Sequence, residues 1–417
     1  MKKPILNRWL LFLICIGLTA SYAWAESWIF SSKSNRLPDN FIDRIEQAGG
    51  RLVNAWSFIG IAVAEFEDGQ NALSLATQDI QVMPDLEFNW IPDDEGFSIQ
   101  GLGDDETYYG WQWYLRTIEA DKVWDEGITG AGVRVAVLDT GIWYTHPDLA
   151  VNVDHNSSAT FVPGTTDYLD DRGHGTHVAG IIAGADNGSG IIGIAPEATL
   201  IAVKVLDSTG SGSFSWIIAG IIHAVQVQAD IINMSLKAIY LKDDRYAALL
   251  MATMNKLMNL AAAHGVLVVA SAGNEGFNLN HSWNYTLIPA ESGNCIAVSA
   301  TGPTDEPAYY TNHGTSLVWV AAPGGDFRFG VLGGILSTWY TPPGQGGNWY
   351  SFGEGTSYAA PCVAGAAALV IQEYGRMNIG LLKNILANAA DDLGKPGVDH
   401  FYGRGRINAH QAVHIKR

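Results

Sequence analysis

The chain is poor in cysteine, in basic residues and in long apolar runs, and each shortage removes a class of proteins. Of three cysteines in 417 residues, Cys15 lies in an N-terminal apolar stretch, and the remaining Cys295 and Cys362 are too few for a disulfide framework. The fold must therefore stand on its core. A single bridge between these two and a pair of buried thiols both suit their positions, one opening a strand and the other a turn into a helix. Lys and Arg number 24 against 42 Asp and Glu, a net charge of −18. That acidity argues against nucleic acid as a partner, and no basic amphipathic tract argues for a membrane surface. The one long apolar run, "WLLFLICIGLTA", follows "MKK" and Arg8 and precedes Ala23-Trp24-Ala25. A positive start, an apolar middle and a small-x-small end read as a secretory signal over residues 1–25. The expected location is secreted or periplasmic. No H-E-x-x-H is present, and no G-x-S-x-G surrounds Ser357, which removes the zincin and nucleophile-elbow esterase patterns.

What is abundant is glycine, 47 residues, within a chain that is 47% hydrophobic. That suits an α/β fold with many tight turns. Residues 26–92 alternate "SWIF", "PDNFIDRIEQAGG", "IGIAVAEF", "GQNALSLATQ" and "IQVMPDLEF", a βαββαβ-like unit with a small open sheet. Residues 93–109, "DDEGFSIQGLGDDETYY", read as an exposed acidic linker. From Gly110 to Arg417 near-continuous apolar runs such as "VRVAVLDTG", "TLIAVKVL", "ADIINMSL", "GVLVVASAG" and "CIAVSATG" alternate with helical segments. These predict a mostly parallel sheet, buried on both faces and covered by helices.

In such a sheet, functional residues belong at strand C-termini. Asp139 ends "VRVAVLDTG", His174 lies in "DDRGHGTHVAG", Asn274 leaves a strand in "VVASAGNEG", and Ser357 stands before a small-residue helix in "SFGEGTSYAAPCVAG". Each has an ordinary alternative, as a turn former, core imidazole, turn residue or helix cap. Together they supply what acyl transfer needs: a nucleophile, a base, a carboxylate to orient it and an oxyanion donor.

These motifs, in the order Asp, His, Ser, resemble the subtilisin family of secreted serine proteases from Gly110 to the closing "GRGRINAHQAV". The resemblance implies Asp139 as orienting acid, His174 as base, Ser357 as nucleophile, Asn274 as oxyanion donor and His177 as structural. It implies a substrate groove between Gly210, Ser211 and Gly212 on one side and Ser235, Leu236 and Lys237 on the other. Phe214, with Ile217 and Leu236, would line an apolar pocket. Polypeptide substrates would lie there as an added strand. Residues 26–92 resemble the family's inhibitory propeptide, which would make this a monomeric zymogen with its own propeptide as partner. A structural Ca²⁺ is implied at Asp148 and Asn187, with Ala185, Ser189 and Ile191 matching backbone ligands and Gln112 an addition. Lys237 departs from the family's glycine, and the expectation is a stem along the rim with its ammonium in water, favouring acidic substrates. The alternative of another class is an inactive peptide-binding protein on the same fold.

Overall fold

The structure, a computed structural model, describes residues 25–91, 97–98, 108–280, 284–341 and 349–415. The signal segment lies outside the described residues, apart from Ala25.

The N-terminal unit is a four-stranded antiparallel sheet ordered Arg51–Trp56, Ile61–Phe66, Glu26–Ser32, Ile80–Pro84. Alternation along its strands gives it two apolar faces. Phe30, Ala62 and Ala64 face its own helices, Phe41–Gln47 and Gly69–Ser74, in a small core with Phe41, Ile45 and Phe66. Ile29, Ile61, Val63 and Met83 face the other way and join the core of the larger domain, where they meet the helices Phe214–Gln226 and Ala247–Ala263.

The larger domain is built on seven parallel strands. Their order from edge to edge is Val320–Pro323, Cys295–Thr301, Leu267–Ser271, Ile231–Met234, Arg134–Asp139, Thr199–Lys204 and Ala159–Thr160. The five apolar runs read as doubly buried strands are the five inner strands; the edge strands Val320–Pro323 and Ala159–Thr160 were not among them. Val135 and Val137 face the helices His174–Ala183 and Thr356–Tyr374, while Ala136 and Leu138 face the opposite helical layer. Cys362 and Cys295 fall in these two separate cores and both are free thiols. The bridge is therefore absent, and burial pushes the Cys295 thiol up to about 12.

The stretch after the first sheet differs from expectation. Instead of one strand through residue 88, Pro84 ends the sheet and Glu87–Asn89 forms a separate strand elsewhere. Phe97–Ser98 pairs with Tyr350–Gly353. Tyr108, expected in an exposed linker, is buried in a turn, Tyr108–Trp111, where its ring stacks on Trp111.

Candidate active site

Asp139 leaves its strand fully buried, and its carboxylate faces the first turn of the helix His174–Ala183. His174 Nδ1 lies 2.8 Å from Asp139 Oδ1 and 3.0 Å from Oδ2. A carboxylate only accepts, so Nδ1 carries the proton and Nε2 is left as the basic nitrogen. The Thr140 N–H donates to Asp139 Oδ1 at 2.7 Å. Asp170 fixes the whole turn. Its carboxylate, fully buried, accepts from the backbone N–H groups of Arg172, Gly173 and Thr176 at 2.9 Å each, and from the hydroxyls of Thr176 at 2.6 Å and Thr140 at 2.8 Å. It thereby caps the helix that carries His174, whose first N–H groups have no partner within the helix. Lys204 supports the same turn from below, its buried ammonium donating to the Thr140 and Leu206 carbonyls and pairing with Asp171 at 2.7 Å.

Ser357 is the second residue of the helix Thr356–Tyr374, whose N-terminus favours negative charge. Its hydroxyl donates to the Ser235 carbonyl at 3.2 Å. Asn274 is locked by its oxygen, which accepts from the Thr356 N–H at 2.9 Å and the Thr356 hydroxyl at 2.7 Å. Its Nδ2 is therefore the donor that faces the site. A Cβ placed on Gly355 would lie 3.2 Å from Asn274 Nδ2 and 3.7 Å from the Ser357 nitrogen. Two N–H groups thus converge on a space that exists because residue 355 has no side chain. An anionic oxygen there would find both donors in place. His177, one turn along from His174, is fully buried against the Tyr358 ring at 4.3 Å, with Nε2 3.0 Å from the Ser351 carbonyl. Burial lowers its pKa to about 3, so it is a neutral packing group.

The two expected groove segments face each other across the N-terminal unit's own tail. Glu87–Asn89 pairs antiparallel with Ser211–Ser213, Gly212 opposite Phe88. Beyond it the Trp90 N–H donates to the Gly210 carbonyl at 3.0 Å, and the Lys237 N–H donates to the Trp90 carbonyl at 3.1 Å. The side chains of Trp90 and Ile91 are buried in one apolar cluster with Phe214, Ile217 and Leu236. Ahead of the tail, Asp85 accepts from the Ser215 N–H at 2.9 Å and hydroxyl at 2.5 Å, at the N-terminus of the helix Phe214–Gln226. Lys237 corrects the sequence expectation. It is only 6% exposed, and its Nζ meets Glu275 Oε1 at 2.9 Å, because a carboxylate within reach of a long stem holds the ammonium better than a partly dry rim does.

The expected calcium residues come together in part. Asp148 is buried and accepts from Asn187 Nδ2 at 3.1 Å, the Ile191 N–H at 2.9 Å and the Tyr350 hydroxyl at 3.0 Å, while its carbonyl accepts from the Ala185 N–H at 2.7 Å. Asn187 Oδ1 accepts from the Ser189 N–H and hydroxyl. Gln112 closes on Ile192 instead, donating to its carbonyl at 2.7 Å and accepting from its N–H at 3.0 Å. Burial raises the Asp148 pKa, opposed only by neutral donors. A buried carboxylate without a cationic partner, beside a glycine-rich loop of carbonyls, fits a hard cation.

Asp170, Asp85 and Glu275 were not singled out from the sequence. Asp170 alone carries a readable signal, an acidic residue shortly before the Gly-His that opens a helix; the partners of the other two are far away in sequence.

With this geometry in view, the comparisons are consistent. The subtilase family matches residues 130–405. Subtilisin DY from Bacillus licheniformis is 39% identical over 296 residues, 71% of this chain and 96% of that protein. Subtilisin E from Bacillus subtilis (strain 168) is 34% identical over 372 residues, 89% of this chain and 85% of that protein. A crystal structure of an epidermin leader peptide processing serine protease from Staphylococcus aureus superposes with a TM-score of 0.79 at 21% identity, covering 94% of this chain and all of that one, a likeness of fold. The chain is a subtilisin-like serine endopeptidase and belongs to the subtilase family.

Proposed function

We propose that this endopeptidase works through Asp139, His174 and Ser357 with Asn274 as oxyanion donor, and that it is made as an exported zymogen. The observation that carries the mechanism is the paired contact of His174 Nδ1 with Asp139, because it leaves Nε2 as the one basic nitrogen on that ring. For attack, the Ser357 hydroxyl turns from the Ser235 carbonyl to His174, gives its proton to Nε2 and bonds to the substrate carbonyl carbon. The oxyanion then lies in the space beside Gly355, held by Asn274 Nδ2 and the Ser357 N–H. Collapse breaks the C–N bond, and His174 returns the proton to the leaving amine. Water, deprotonated by the same imidazole, hydrolyses the acyl-enzyme. Asp139 accepts from Nδ1–H throughout and stabilises the imidazolium. The subtilisins are the type case for this arrangement of oxyanion donor and triad.

The substrate is an extended polypeptide added as a strand between Gly210–Gly212 and Ser235–Lys237. Residues 26–92 act as an inhibitory propeptide, a reading supported by the tail lying in that groove and by Phe97–Ser98 pairing on the strand that leads to Ser357. Export follows from the charge and apolar pattern of residues 1–25. A structural Ca²⁺ would be held by Asp148 and Asn187 with carbonyls of the Ala185–Ile191 loop, and would supply the positive charge that buried carboxylate lacks. Labelling with a fluorophosphonate followed by peptide mapping tests the core of the proposal. The expected adduct is on Ser357 alone; an intact protein that binds peptide but takes no label would instead be the inactive peptide-binding form.

A further inference from the structure

Lys237 is the groove residue whose side chain the mechanism leaves unused. To reach Glu275 its stem passes over Gly273: a Cβ on that glycine would stand 2.9 Å from Lys237 Cδ. Gly273 has φ +95°, a conformation that favours glycine, so the space above it is open for the lysine to cross. The carboxylate end is held as firmly. Buried Asn312 donates from Nδ2 to Glu275 Oε2 at 2.7 Å and to the Ala272 carbonyl at 3.0 Å, and its Oδ1 accepts from the N–H groups of Glu275 at 3.2 Å and Phe277 at 2.8 Å. The ion pair therefore bridges the segment 235–237, on which a groove-bound chain is paired, to the segment 272–275, which carries Asn274.

These two segments bracket the space beside Ser357. The Ser235 carbonyl accepts from the Ser357 hydroxyl, and the Gly273 N–H donates to the Thr356 hydroxyl at 2.9 Å. A substrate carbonyl held between Ser357 and Asn274 must send the side chain of its own residue between them. We infer that the Lys237–Glu275 pair fills this space, so that the enzyme selects a small residue, glycine, alanine or serine, immediately before the scissile bond and rejects aromatic ones. The inference rests on Ser357 being the nucleophile. A large side chain cannot simply push the pair apart, since that would leave the buried ammonium of Lys237 without its half-buried partner Glu275. The two charges also neutralise each other, so the acidic preference expected of a free ammonium disappears. Aromatic recognition moves outward, to the apolar cluster of Phe214 and Ile217 where Trp90 is buried.

The test uses the full-length protein after maturation and two peptides that differ only in alanine or phenylalanine before the scissile bond. Wild type is expected to favour alanine in kcat/KM by at least about tenfold, the scale on which a misfitting pocket discriminates. Lys237→Gly should lower that ratio by at least about tenfold, on the same scale. Glu275→Ala, which frees the ammonium, should lower it too and serves if the first variant does not fold. Equal cleavage of the two peptides by wild type, an unchanged ratio in the variants, or a salt-sensitive preference for Asp and Glu would each overturn the inference. Fluorophosphonate labelling of Ser357 in the same samples separates the failures. Label with an unchanged ratio sinks the filled pocket alone, and no label with no cleavage sinks the nucleophile with it.

Discussion

The N-terminal unit and the larger domain are both sheets with helices, yet only the larger one covers both faces of its sheet with its own chain. The parallel sheet has Val135 and Val137 under one helical layer and Ala136 and Leu138 under the other. The N-terminal sheet has helices on one face; Ile29, Ile61, Val63 and Met83 on the other are covered by the helices Phe214–Gln226 and Ala247–Ala263. Burial of such side chains stabilises by about 1.5–3 kcal/mol each. The unit therefore takes part of its stability from the larger domain, whose helices supply the cover for its second face.

The strongest way to break this comparison is Ser357→Ala. Peptidase activity should fall by about a millionfold in kcat, as for nucleophile loss in the subtilisins themselves, while the precursor folds and keeps its N-terminal unit attached. Gel mobility and N-terminal sequencing check it, and a variant that still shortens itself would sink the assignment. Next comes docking. Segment 26–91 supplied in trans should inhibit the mature enzyme, and Asp85→Ala should weaken that inhibition about tenfold, the equivalent of one lost helix cap. Equal inhibition constants would show that Asp85 contributes nothing. Smaller still, chelator should lower the melting temperature of the mature domain by at least about 3 °C if a cation occupies the Asp148 loop; identical scans would remove the site.

The last effect is acid sensitivity, and it should belong to the larger domain. Burial holds His177 near 3, while in the unfolded chain it titrates near 6.5. Between those values the unfolded chain binds a proton that the folded chain does not, so stability falls as pH drops from about 6.5 towards 3, by up to about 1.4 kcal/mol per pH unit. Denaturant midpoints for wild type and His177→Gln should converge towards pH 4, with the wild type losing more; parallel curves would exclude this contribution.

The five central strands of the larger domain's sheet were legible because each is buried on both faces and reads as an apolar run, whereas the two edge strands, Ala159–Thr160 and Val320–Pro323, are too short to show one. Asp139 and Asn274 were legible because each sits where such a run stops, and His174 and Ser357 because each follows a glycine-containing stretch at the start of a small-residue helix. Arg51–Trp56 was not, being half-exposed at the sheet edge with Arg51, Val53 and Asn54 outward. Nor was the fate of Lys237. Its neighbours in sequence say nothing of Glu275, and whether a lysine lies in water or crosses a glycine to a carboxylate is decided by a segment that folds against it from 38 positions away.

Trp90 and Ile91 sit in the groove on the same chain that continues to Phe97 and Ser98, paired with Phe352 and Ser351 on the strand before Ser357. A tethered strand of this kind competes at an effective concentration in the millimolar range, which no free peptide matches at ordinary levels. On the proposed zymogen reading, severing the tether would keep the contacts of residues 87–91 and change only the concentration term. From that moment occupancy follows the total amount of protein per volume, and the groove empties on dilution. Release into a large outside volume would then switch the enzyme on, with no further conformational step.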